Sequence, residues 1–340
     1  MNLEIWQKLL PLESRDITQR RFNQIHHREL NARRTNEITS AAKQAREYFR
    51  NASSSDYSVR PLLTFYGVLS LTRALTLLLR REGGEEALKG SHGLETVNWA
   101  QTMTGSIEDG LRNIEKLTIR TTAGLFSQFL NQSKNQIPIH IHSSKVDWSI
   151  CHDVPNTGLT LTFDDLLSRT PDLHKEYSDL GKIPKYSPIH DLSFNNEDGF
   201  KAKTAAKMLA PMSASFQNAG YTLEIQKDVT TIECSAQNIQ DHTPIFMHGY
   251  LDKIFSSIPR LHIVEPLPND VTLSQMAITY MHSYILGMLV RYYPTHWVSL
   301  IQGSRGDKYW PTLNRVQRYV EIVYPELVAE LIHETLNPSA

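Results

Sequence analysis

Three observations point to a mainly α protein with an α+β middle. Helical periodicity dominates the beginning and end of the 340-residue chain. Between them lies a stretch in which apolar residues alternate with polar ones, the signal of strands. The run Leu62–Leu79 is apolar almost all round, which suits the central element of a helical core. The expected parts are 1–132, an N-terminal helical part, 133–268, a mixed α/β middle, and 269–340, C-terminal helices packing back on the N-terminal bundle.

The first strong element is an amphipathic helix over 37–53. Ala41, Ala45, Tyr48, Phe49 and Ala52 share one face, and Asn36 is placed to cap its start. Ser53-Ser54-Ser55-Asp56 breaks it. Pro61 opens the next helix at a position where its missing N–H costs nothing. Gly83-Gly84 is expected to end that helix. The two helices, joined by a short turn, should form an antiparallel pair.

Leu62–Leu79 has nearly the length of a membrane span. It contains Arg73, however, and an arginine near a bilayer centre costs about 2.5–3.5 kcal/mol. A buried helix of a soluble protein is the better reading, and no membrane partner is expected. The start of the chain shows no basic region followed by an apolar core, so no secretory signal is expected.

A loop with Ser91-His92-Gly93-Leu94 comes next, followed by a weaker helical stretch around 106–116. From Ile137 the period becomes two. Further strands are expected at Gly158–Phe163, Tyr221–Ile225, Thr230–Cys234 and Leu261–Val264. Asp164–Leu180 reads as a helix with carboxylates in its first turn, interrupted at Pro171. Near 270 the helical period returns, with Tyr280, Tyr284, Gly287 and Arg291 on one face until Pro294. A last helix, about Thr312 to Leu336, should bend at Pro325.

Composition narrows the function classes. The chain is 40% hydrophobic and 21% charged, ordinary globular usage, with a formal net charge of −1. Whole-molecule attraction to nucleic acid or anionic lipid is therefore not implied. Charge is uneven. Residues 15–50 hold nine Lys/Arg against four Asp/Glu, and 151–200 hold nine Asp/Glu against four Lys/Arg. Cys151 and Cys234 stand apart and outside any paired motif, which fits a reducing compartment, and a cytoplasmic location is expected.

No Gly-x-Ser-x-Gly elbow, Walker-type loop or Rossmann glycine run occurs. His140 and His142 project from one face of a strand, with His152 nearby. No carboxylate or cysteine at ligand spacing completes that set, so neither metal nor cofactor is expected. Arg73 must be paired or reach solvent, because an isolated buried charge is too costly. It is a candidate for an ion pair or for holding an anion or RNA at the mouth of the bundle.

The end of the later helix reads Arg291-Tyr292-Tyr293-Pro294-Thr295-His296-Trp297. Histidine titrates near neutrality and can act as general acid or base, while arginine steadies charge on phosphate oxygens. Tyr292, Tyr293 and Trp297 are candidate stacking surfaces for unpaired bases. Arg21/His26 and Arg169/His174 repeat the same arginine-to-histidine spacing, so spacing alone selects none of them.

Several segments resemble one family. Tyr48-Phe49-Arg50-Asn51-Ala52, Arg60-Pro61-Leu62-Leu63-Thr64-Phe65-Tyr66-Gly67, Leu71-Thr72-Arg73-Ala74-Leu75 and Ser91-His92-Gly93-Leu94 are similar to the bacterial YaaC-like proteins. So is Leu286-Gly287-Met288-Leu289-Val290-Arg291-Tyr292-Tyr293-Pro294 with Trp297. The likeness covers about 35 to 330.

The first helical pair resembles in turn the HEPN domains, four- or five-helix bundles that often dimerise. Many of these act in phage defence, toxin–antitoxin pairs or RNA processing. That resemblance implies a HEPN-like helical bundle carrying a β-containing insertion, and a homo-oligomer. His92, within the YaaC-like segment Ser91-His92-Gly93-Leu94, is a further binding candidate. The HEPN resemblance also implies one of two roles. The first is a non-catalytic component binding a partner protein, a nucleotide or RNA. The second is a metal-independent endoribonuclease using Arg291 and His296 as catalytic residues. Active HEPN proteins tend to have a polar residue directly after the arginine, where this chain has Tyr292. Pro294 also interrupts the helix between Arg291 and His296.

Overall fold

The computed structural model describes residues 1–141, 146–195, 199–206, 213–218, 220–235, 249–251 and 261–337. Its helices include α1 (Leu3–Leu9), α2 (Arg15–His26), α3 (Ala32–Ser54), α4 (Arg60–Leu79), α5 (Ile107–Arg112), α6 (Leu125–Gln132), α7 (Gln275–Tyr292), α8 (Pro294–Ile301) and α9 (Trp310–Leu336). Further short ones lie at Trp99–Thr102, Phe163–Leu167, His174–Asp179 and Ser213–Asn218.

The strands are β1 (Leu94–Val97), β2 (Thr118–Thr121), β3 (Gln136–Ile141), β4 (Val146–Cys151), β5 (Thr160–Thr162), β6 (Tyr186–Asn195), β7 (Gly199–Ala205), β8 (Thr222–Gln226), β9 (Val229–Cys234), β10 (Gly249–Leu251) and β11 (Leu261–Val264). The protein is mainly α with an α+β middle. His142 lies outside the described residues.

The chain divides into two compact units. One comprises Met1–Pro138, Asp153–Leu166 and Leu273–Ala340, and the other Ile139–His152 and Leu167–Thr272. The first holds α1 to α9 and a small antiparallel sheet in the order β1-β2-β5. The second is built on a six-stranded sheet in the order β10-β11-β6-β7-β9-β8, in which neighbouring strands run antiparallel.

Helix α3 begins earlier than its periodicity suggests. Asn31, not Asn36, caps it, accepting the Arg34 N–H at 2.9 Å. The first turn looks polar in sequence, yet Arg34 and Thr35 are buried. The Arg34 guanidinium donates to the Leu77, Arg80 and Arg81 carbonyls at 2.8–3.2 Å. Those acceptors lie at the C-terminal end of α4, where carbonyls lack intrahelical donors and the dipole favours a cation. Helix α4 therefore stops at Leu79 under an arginine clamp, and Gly83-Gly84 follow its end rather than form it.

α3 and α4 run antiparallel: Phe49 faces Gly67, Gln44 bonds Ser70 at 3.1 Å, and Arg34 reaches Leu77. Helix α4 has the length and composition of a membrane span, but 67% of its apolar window is buried within the protein. It is a core helix. Its burial is not complete: Leu62, Tyr66, Leu69 and Arg73, spaced along one face, stay half-exposed.

Helix α7, buried without a break from Gln275 to Val290, packs on α4 at Phe65. Close approach depends on Gly287, where a β-carbon would stand 2.8 Å from Phe65 Cβ. Helix α9 is tied to α4 by a bidentate ion pair, Arg60 Nε and Nη2 to the Glu321 carboxylate at 2.6 and 2.5 Å. Gln317 donates to both Thr64 and Glu321, so the pair is embedded in a polar network. Pro325 lies inside α9, as expected. Pro294 ends α7 and also opens α8, the position in a first turn that suits a proline.

Candidate functional site

The Ser91–Leu94 loop is built to present His92. Ser91 Oγ donates to the Ala123 carbonyl at 2.8 Å, and the Ser91 carbonyl accepts from Leu125 N at 2.9 Å, at the start of α6. The His92 carbonyl accepts twice, from Phe126 N at 3.1 Å and from the Tyr280 hydroxyl at 3.0 Å. Gly93 adopts φ +81°, and a β-carbon there would stand 2.6 Å from Phe126 N, so only glycine fits. The backbone of His92 is therefore fixed from three sides.

Its ring packs edge-on to Phe65 of α4, centroids 5.3 Å apart, and to Tyr284 of α7 at 6.3 Å. Tyr284, Gly287 and Arg291 share one face of α7. The ring thus sits along the face that ends in Arg291. Burial, then the Arg291 charge, lower the His92 pKa from its ordinary value. Burial also pushes the Tyr284 hydroxyl up to about 12, so it stays protonated as a donor; Tyr292, Glu95 and Arg291 act on it as well.

Arg291 is exposed at the last turn of α7, with its guanidinium 5.2 Å from the centre of the exposed Tyr292 ring. Among the described residues no ion pair joins it to a carboxylate. The nearby Glu95 is already engaged by Arg120 at 2.5 Å. Arg73, which acts electrostatically on Tyr280, reaches the surface and pairs with Glu85 at 3.6 Å.

The other candidate residues occupy different surroundings. His296 lies in α8, where its Nε2 is buried against α5: a β-carbon on Gly110 would meet that nitrogen at 2.8 Å. Burial lowers its pKa. Among the described residues no hydrogen bond joins His296 to Arg291.

Trp297 is fully buried and donates to the Tyr57 carbonyl at 2.8 Å, so it offers no face for a base and holds α8 instead. Tyr293 is half-buried between Trp99 and His296. Of the residues singled out in the sequence, the fold brings together His92, Arg291 and Tyr292. The histidine beside Arg291 comes from a loop two hundred residues upstream in rough terms, not from the same segment.

Sequence reasoning did not assign Tyr284 or Phe65 to this site. The helix face shared by Tyr280, Tyr284, Gly287 and Arg291 was the available signal. Its meaning depended on knowing that the His92 loop packs there. Among the described residues no group of three or more His, Cys, Asp or Glu could hold a metal.

The fold and this patch define a class: a mainly helical α+β protein presenting, in an aromatic setting, an exposed arginine that has no carboxylate partner among the described residues. Comparison with known families is specific. The model of the YaaC-like Protein family matches residues 10–332, and the chain belongs to that family. No curated protein and no solved structure matches the chain.

Proposed function

We propose that this protein is a non-catalytic binding component that takes RNA or a nucleotide at the patch around His92, Arg291 and Tyr292. One observation carries this reading. Arg291 is an exposed guanidinium with no carboxylate partner among the described residues, set beside an imidazole and an exposed aromatic ring. Unpaired arginine with aromatic neighbours is the chemistry that holds phosphate and stacks a base. The half-exposed stripe Leu62, Tyr66 and Leu69 supports contact with a second copy or another protein nearby.

The HEPN-like resemblance of the first helical pair adds a setting: a cytoplasmic homo-oligomer in a phage-defence or toxin–antitoxin type system. The ribonuclease alternative with Arg291 and His296 has less geometric support, because the His296 Nε2 is turned against Gly110. One experiment separates them. The purified chain is incubated with labelled single-stranded RNA in EDTA and run on native and denaturing gels. Retarded but intact RNA supports the binding reading. Cleavage lost in His296→Ala would replace it with the ribonuclease, and neither retardation nor cleavage would remove both.

A further inference from the structure

The patch has a chemistry narrower than RNA in general. Two donors lie along it, the Arg291 guanidinium and a ring nitrogen of half-buried His92, with the buried Tyr284 ring packed against that imidazole. Exposed Tyr292 adjoins them. Among the described residues Glu95 is paired with Arg120 and Arg73 with Glu85, while Arg291 has no carboxylate partner. A groove that tracks a polynucleotide needs a row of free cations, one for each phosphate neutralised. Here the neighbouring cations are already used by carboxylates, so the patch suits a single phosphate.

Geometry adds a second restriction. His92 is held between Phe65 and Tyr284 by a loop bonded through the Ser91 hydroxyl to Ala123 and through its backbone to Leu125, Phe126 and Tyr280. A donor anchored so firmly loses little freedom on binding, and the half-buried setting strengthens its hydrogen bond. The Tyr292 ring, 57% exposed, offers a flat apolar face next to the arginine.

We propose that His92, Arg291 and Tyr292 form a site for one nucleoside monophosphate, or for the terminal phosphate of a nucleic-acid strand. Arg291 and His92 hold the phosphate oxygens, Tyr292 stacks the base or sugar, and the Tyr284 ring backs the imidazole. The inference rests on the binding function proposed above and sharpens it to one phosphate per site.

The test is calorimetric titration of the full chain with AMP, adenosine and inorganic phosphate, then with a short RNA carrying or lacking a 5′ phosphate. AMP should bind at least about ten-fold tighter than adenosine or phosphate alone, since charge-assisted bonds and stacking act together. Its affinity should fall with salt with a logarithmic slope of about one or less, the signature of one neutralised phosphate. Arg291→Gln should weaken AMP about ten-fold or more with an unchanged melting temperature. His92→Asn serves as a second variant, checked for folding by circular dichroism.

AMP binding no tighter than adenosine, or unaltered in Arg291→Gln, overturns the proposal. RNA that binds with a steep salt slope, whether or not its end is phosphorylated, also overturns it while leaving the broader RNA-binding reading standing. Binding of inorganic phosphate as tight as AMP removes the stacking role of Tyr292 and with it the nucleotide assignment.

Discussion

Arg169/His174 and Arg291/His296 have the same arginine-to-histidine spacing, yet the fold treats them in opposite ways. In the sheet-bearing unit the arginine is the structural member. Arg169 is buried, donating to the Glu265 and Pro266 carbonyls at 2.8 and 2.7 Å, with the Glu265 carboxylate at 3.5 Å. Its histidine, His174, is exposed and meets the Tyr186 hydroxyl at 2.9 Å. In the helical unit the roles reverse: Arg291 is exposed, and His296 is packed against Gly110. The lesson is that spacing within one segment does not specify a site. What the arginine meets from distant segments decides whether it is a brace or a contact for a ligand.

The comparison can be broken most directly at the two arginines. Arg169→Met should cost about 3 kcal/mol, because it removes a buried guanidinium from its bonds to the Glu265 and Pro266 carbonyls and from the Glu265 carboxylate. Arg291→Met should stay within about 0.5 kcal/mol, as for an exposed side chain. Urea unfolding of both variants measures the difference, and equal losses would show that the contrast is false.

Gly110→Ala sharpens the case for His296. The added methyl meets Nε2 at 2.8 Å and the Met103 carbonyl at 3.2 Å, so a loss of about 1–2 kcal/mol is expected. Combined with His296→Ala the cost should be less than additive, because the second change removes the two clashing ring atoms, Nε2 and Cδ2. Strict additivity in that double-mutant cycle would place the ring elsewhere.

Acid should expose the same difference. Burial holds the folded-state pKa of His296 below the ordinary value, and that of fully buried His282 down at about 3. Each is a histidine that the unfolded chain protonates first. Their stability contribution is complete above about pH 6.5 and is lost as pH falls toward the lower folded values, at up to about 1.4 kcal/mol per pH unit per group. Thermal melts between pH 7 and 4 should fall less in His282→Phe and in His296→Gln than in the parent. Unchanged slopes in both variants would refute the burial argument.

His174→Ala completes the series. Removing the partner of the Tyr186 hydroxyl should cost about 1 kcal/mol, a typical net hydrogen-bond contribution. A loss as large as that of Arg169→Met would make the histidine, not the arginine, the brace of this segment.

Much of the helical unit was legible because its elements follow local rules. Proline at the start of α4, the all-round apolarity of that helix, the face Tyr280–Arg291 and the last helix all follow from residues a few positions apart. Leu261–Val264 and Val229–Cys234 were legible as strands for the same reason. The paired strands Tyr186–Asn195 and Gly199–Ala205 were not, since their mixed polar sequence acquires meaning only from the neighbours that bond them. The first turn of α3 was misread for a related reason: Arg34 counts as polar in a pattern, but it is buried because distant carbonyls accept its protons.

By itself, then, the sequence determined the helical core, the mainly α class and membership in the YaaC-like family, through periodicity and through motifs spread along residues 10–332. Tertiary structure alone decided which histidine stands beside Arg291. It also buried Trp297, paired Arg73 with Glu85, and left Arg291 without a carboxylate among the described residues. The physical reason is range. Helix propensity and capping act over a few residues of chain, whereas desolvation and charge pairing depend on groups brought together from anywhere along it.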